Sequence, residues 1–149
     1  MRIEIPFQAV VSLLAVQFAV FGWRVQREIS LMEQDRRTWL LLEDYANLVC
    51  MILVLFSCII YPLALTSGTA GYPLFSRGVF VAACTVLISY PVCLAAHYGL
   101  FIGQHGRPKT RLPDGTEDWA YVGCLEGVFI FGSWLIALLA GIAAYRGWF

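Results

Sequence analysis

Four stretches of this chain are long and apolar enough to cross a bilayer, and nothing else in the sequence limits the fold as strongly. A spanning helix needs about 20 mostly apolar residues at 1.5 Å rise each. Ile5–Trp23, Ala46–Thr66, Val79–Phe101 and Ala120–Ala144 meet that length with at most one internal charge. They take up well over half of the 149 residues, which leaves too little for a separate soluble domain. The expected fold class is an all-α integral membrane protein, one domain over residues 1–149, with four transmembrane helices in an antiparallel bundle. Transmembrane strands would alternate in polarity over about ten residues, and Val49-Cys50-Met51-Ile52-Leu53-Val54-Leu55-Phe56 does not alternate.

Composition agrees with this reading: 60% of residues are hydrophobic, 13% are charged, and the mean hydropathy is +0.73. Soluble domains carry roughly 25% charged residues. Ten basic residues balance ten acidic ones, so there is no concentrated basic face for nucleic acid. The lipid bilayer is the expected partner. The first span is not a cleaved secretory signal by this reading, because Met1-Arg2-Ile3-Glu4-Ile5 is not a net-basic leader and Gly22 runs into Trp23-Arg24 rather than a small-residue cleavage site.

Basic residues in short connections resist translocation and so set orientation. The first and third loops hold seven of them, Arg24, Arg27, Arg36, Arg37, Arg107, Lys109 and Arg111, against Arg2, Arg77 and Arg146 on the other side. This count puts both termini outside and loops 1 and 3 in the cytoplasm, with a bacterial cytoplasmic membrane as the expected location. Aromatic residues with a polar tip fall where headgroup belts would hold them: Trp23, Trp39, Tyr45, Trp119 and Tyr121 on the inner side, and Tyr61, Tyr72, Tyr145 and Trp148 on the outer.

Arg107, Lys109 and Arg111 lie in a stretch with two prolines and a Pro113-Asp114-Gly115 turn, which predicts a non-helical basic loop at the inner headgroups. Loop 1 contrasts with it, since no Gly or Pro occurs from Trp23 to Tyr61. Val25, Ile29, Met32 and Leu40 recur near helical spacing, and Arg24–Glu28 and Glu33–Arg37 are i,i+4 pairs of opposite charge. Residues 24–34 therefore read as a helical extension of the first span into the cytoplasm or along its surface, turning near Gln34–Thr38, with an apolar stripe that must cover either membrane surface or the equivalent helix of a neighbouring subunit. Glu43-Asp44-Tyr45-Ala46 and Glu117-Asp118-Trp119-Ala120 repeat one signature before spans 2 and 4. Acids suit the positive end of a helix and an aromatic marks the interface, so each is read as a helix start.

Motifs for cofactor or metal chemistry were not found. There is no Gly-rich phosphate loop, His-Glu-x-x-His or Cys-x-x-Cys, and the five cysteines, Cys50, Cys58, Cys84, Cys93 and Cys124, lie inside spans without a metal or redox spacing. No metal and no cofactor is expected. What remains is a polar layer. Glu126 is read as the only formal charge within a span, roughly 9 Å deep, and His97 lies about 6 Å deep. Gln17 and Asn47 reach comparable depth, so each span gives one polar side chain to the same inner third of the membrane. The two readings are a polar pocket, with Glu126 as proton or cation acceptor beside His97, and hydrogen bonding between helices.

Span 4 also carries small residues, Gly123, Gly127, Ser133, Ala137 and Gly141, within about a third of the helix circumference. Such faces let backbones approach closely. Pro62 and Pro91 should kink spans 2 and 3.

The plan of four spans, about 150 residues and both termini outside resembles that of the trimeric membrane enzymes of eicosanoid and glutathione metabolism. Their arginine- and asparagine-bearing motif is not found at matching positions, so the likeness is one of architecture and carries no residues over. The expected function is assembly, as an accessory subunit of a membrane complex or as a homo-oligomer, more readily than catalysis. The alternatives are a proton- or ion-conducting oligomer using Glu126, and a membrane enzyme acting on a lipophilic substrate.

Overall fold

The computed structural model of the chain describes residues 5–32, 41–65, 74–97, 110–111, 117–118 and 124–147. The described residues are helical apart from one short strand pair. In chain order they form α1 (Phe7–Met32), α2 (Leu42–Val54), a six-residue π-helical segment (Leu55–Ile60), α3 (Tyr61–Leu65), α4 (Leu74–His97), β1 (Thr110–Arg111), β2 (Glu117–Asp118) and α5 (Cys124–Tyr145). The π segment joins α2 and α3 into one continuous rod, so four helical rods result. Each is long and apolar enough to cross a membrane: Phe7–Ser30, Leu42–Ala64, Phe75–His97 and Glu126–Tyr145.

One boundary differs from the sequence reading in a way that matters. Helix α1 continues unbroken to Met32, as the Gly- and Pro-free stretch predicted. Of its apolar stripe Val25 is half-buried, while the Met32 side chain and Leu40 lie outside the described residues. Ile29 is exposed and Arg24 is buried. Helix α2 begins at Leu42, four residues before the expected start, which brings Glu43 and Asp44 into its first turn. Glu126 is consequently not the only charge within a span, since Arg24, Arg77, Glu43 and Asp44 all lie inside candidate spans.

The second acidic signature has a different fate. Glu117 and Asp118 form β2, paired antiparallel with β1 in the register Thr110↔Asp118 and Arg111↔Glu117. They do not open a helix, and the acid in the first turn of α5 is Glu126. The non-helical reading of this region holds at Arg111, which sits in β1. Arg107, Lys109 and Gly123 lie outside the described residues, as do Gln34–Thr38 and the Glu33–Arg37 pair.

Proline explains the irregularity between α2 and α3. The Tyr61 N–H reaches back five residues to the Phe56 carbonyl, and Pro62 has no N–H to give. The Ser57 carbonyl is thereby left without a donor in its own helix. Ser76 Oγ of α4 donates to it at 2.5 Å, and Cys58 Sγ donates to the Ser76 carbonyl at 3.6 Å. A broken helical bond is thus converted into a tie between two rods. All three side chains are buried.

The core is a seam along α1, α2 and α4, formed by Val10, Leu13, Leu14, Met51, Val54, Cys58 and Ala83. Outward faces carry large apolar side chains, including Phe18, Leu63, Ile88, Val128 and Ile136. Near the start of α4 and the end of α5 the packing is closest. A Cβ on Gly78 would lie 2.8 Å from the Gly141 carbonyl oxygen, and a Cβ on Gly141 would lie 2.9 Å from that of Gly78. Backbone meets backbone there, which only glycine allows.

Candidate functional site

The four polar residues singled out from the sequence form two pairs. Gln17 Nε2 donates to Asn47 Oδ1 at 3.1 Å, joining α1 to α2, and Asn47 Nδ2 donates to the Gln17 carbonyl at 3.4 Å. His97 Nδ1 lies 2.9 Å from Glu126 Oε1, joining α4 to α5. All four side chains are buried.

Between these pairs stands a larger cluster that sequence reasoning missed. It starts from two consecutive residues, Glu43 and Asp44, each 1% exposed. Asp44 Oδ2 accepts the Leu41 N–H at 2.8 Å, so the carboxylate reaches back over the helix start as in a capping box. The same group accepts Arg24 Nε of α1, at 3.2 Å to Oδ2 and 3.4 Å to Oδ1. Tyr90 of α4 donates its hydroxyl to Oδ1. Arg24 also pairs with Glu28 at 3.0 Å, one of the two i,i+4 pairs anticipated from sequence, and Arg27 approaches Glu28 at 3.4 Å. One carboxylate thus ties the first turn of α2 to α1 and α4.

Glu43 turns the other way. Its Oε2 accepts Trp134 Nε1 of α5 at 2.9 Å, and Ser133 and Cys93 lie beside the same carboxylate. Those two neighbours also have contacts of their own: Cys93 Sγ donates to Ser133 Oγ at 3.7 Å, and Ser133 Oγ donates to the Ile130 carbonyl at 2.8 Å. Oε1 of Glu43 is buried with no hydrogen-bond partner among the described residues. The first turn of α2 therefore contacts every other rod through two adjacent acids.

A signal for this cluster was present in the sequence. Val10, Gln17 and Arg24 recur at seven-residue spacing, so Arg24 belongs to the buried face of α1 rather than to the headgroups. On α2, Asp44, Asn47, Met51 and Val54 recur at spacings of three and four and are all buried.

The small-residue face of α5 divides. Ser133, Ala137 and Gly141 are buried, whereas among the described residues nothing stands within 4 Å of where a Gly127 Cβ would lie. The buried seam runs Glu126, Ile130, Ser133, Ala137, Gly141 and Ala144, one position off Gly127. Beside the Gly78–Gly141 contact an apolar groove of about 300 Å³ is lined by Cys50, Leu53, Phe75, Leu138 and Tyr145, among others. Among the described residues no group of three His, Cys, Asp or Glu side chains is placed to hold a metal ion. No protein-family model, curated protein or solved structure matches the chain.

Proposed function

We propose that the chain is an integral membrane protein, a four-helix antiparallel bundle that acts by assembly, as a homo-oligomer or as an accessory subunit of a membrane complex. The observation that carries this reading is Gly127. Glycine inside a helix costs about 0.5–1 kcal/mol relative to alanine, and among the described residues nothing stands within 4 Å of where a Cβ on this one would lie. In membrane helices, small residues are where a second helix approaches, and Gly127, half-buried, stands on the rim of α5 beside the buried Glu126. The large apolar side chains facing outward support lipid contact on the remaining surface.

Native mass spectrometry of the full chain in detergent tests this proposal. Gly127→Leu should lower the oligomeric mass while leaving the helical content unchanged. An unchanged mass removes Gly127 from any interface. A bacterial cytoplasmic membrane, with both termini outside and loops 1 and 3 inside, is part of the same proposal. Cysteine placed at Lys109 should then react only from the cytoplasmic side and cysteine at Thr69 only from outside. Conduction through Glu126 is a second reading, favoured by the buried His97–Glu126 pair, and proton flux in liposomes lost in Glu126→Gln would select it. The apolar groove beside Gly78 favours the third reading, an enzyme acting on a lipophilic substrate, and co-purified lipid seated there would support it.

A further inference from the structure

We propose that Glu43 is a proton-binding site, a buried carboxylate that takes up and releases one proton at the end of the helices where α2 begins. Among the described residues, two buried side-chain oxygens lack a hydrogen-bond partner, Glu43 Oε1 and Gln17 Oε1. Turning the Gln17 amide would exchange its oxygen for a donor. Both oxygens of a carboxylate accept unless one carries a proton. A proton on Oε1 would turn that oxygen into a donor beside the Ser133 hydroxyl and the Cys93 thiol, both of which can accept.

The charges around Glu43 point to the same conclusion. Asp44, its neighbour on α2, has Arg24 of α1 as its cation, and Glu126 of α5 has His97 of α4. Glu28 has Arg24 and Arg27. Glu43 faces Trp134 and Ser133 of α5, Cys93 of α4, and Asp44 and Cys50 of its own helix, none of which is a cation. A buried charge without a partner is far costlier than a buried neutral acid. A metal ion fits poorly, because the nearest further carboxylate, Asp44, already accepts Arg24, Tyr90 and the Leu41 N–H. A proton needs one oxygen only.

This inference places the titrating group at Glu43 and not at Glu126, and it holds whether or not the chain assembles through Gly127. The test is to treat the full chain in detergent with dicyclohexylcarbodiimide, an apolar reagent that couples to protonated carboxyls shielded from water, and to locate the adduct by peptide mass spectrometry. One adduct is expected, at Glu43, with a yield that falls as pH is raised. The carboxylic-acid infrared band should be present at neutral pH, lost in Glu43→Gln and retained in Glu126→Gln. An adduct at Glu126, protection by sodium ions at constant pH, or an infrared band that survives Glu43→Gln would each overturn the proposal. So would the absence of both adduct and band.

Discussion

Where α4 and α5 meet at Gly78 and Gly141, the contact contains no polar side chain, only two backbones with no Cβ between them. Where α2 begins, the contact consists almost wholly of polar side chains: Arg24, Asp44, Tyr90, Glu43 and Trp134 link all four rods. The two regions solve one problem by different physics. Inside a bilayer, apolar burial gives helices little reason to choose each other over lipid, so association falls to close packing or to hydrogen bonds. The glycine contact supplies short-range dispersion and tolerates no added atom. The polar cluster supplies directional partners and tolerates no lost charge.

The largest expected effect follows from that last property. Arg24→Gln strips Asp44 of its cation at a site where both side chains are 1% exposed, and breaking a buried pair by removing one partner costs about 3–5 kcal/mol. Denaturant unfolding of the chain in mixed micelles should show that loss, while a shift below about 1 kcal/mol would make the pair a bystander.

Next in size is the glycine contact. Gly141→Ala would set a Cβ 2.9 Å from a carbonyl oxygen and 3.2 Å from the Ala82 Cβ, neither of them the far end of a flexible side chain. Overpacking of this kind costs about 1–3 kcal/mol, and the same unfolding measurement reads it. Gly127→Ala should cost nothing within the chain. Equal losses at the two glycines would erase the distinction between a packed face and an open one.

Smaller again is the Gln17–Asn47 pair. Hydrogen bonds between membrane helices average about 0.6 kcal/mol, so Gln17→Leu should destabilise by about that amount or less. A loss of several kcal/mol there would extend the polar cluster to the middle of α1.

How much of this was legible in the sequence follows the same division. The four helices could be read because long apolar runs have one solution in lipid. The polar layer of Gln17, Asn47, His97 and Glu126, with Glu126 beside His97, could be read because polar groups deep in a span must find partners; that Gln17 pairs with Asn47 came from the structure. Arg24 reads as part of the extension beyond span 1, and Glu43 and Asp44 as a helix start before span 2, because they stand within a turn or two of the span ends, where charges usually meet water. Periodicity along the helix, and not depth, distinguishes them. The acidic signature at 43–46 and its echo at 117–120 show why four residues are too few to decide: the first opens a helix and the second lies partly in a strand. Leu41 is the extended residue before the first signature, and its N–H is capped by Asp44. Thr110 and Arg111 are the ladder partners of the second.

The claim that charge complementarity holds the polar end is tested most directly by a double-mutant cycle on Arg24 and Asp44. Asp44→Asn keeps one acceptor oxygen for the Leu41 N–H and turns its amide NH2 to the Tyr90 hydroxyl, which can rotate to accept, while it removes the charge that Arg24 answers. The two neutralising changes together should leave no unpaired charge between them, so Arg24→Gln/Asp44→Asn should be more stable than Arg24→Gln alone, with a coupling energy of about 1–3 kcal/mol. Losses that simply add would mean that the two residues act independently, and the polar end would then owe its cohesion to something other than this pair.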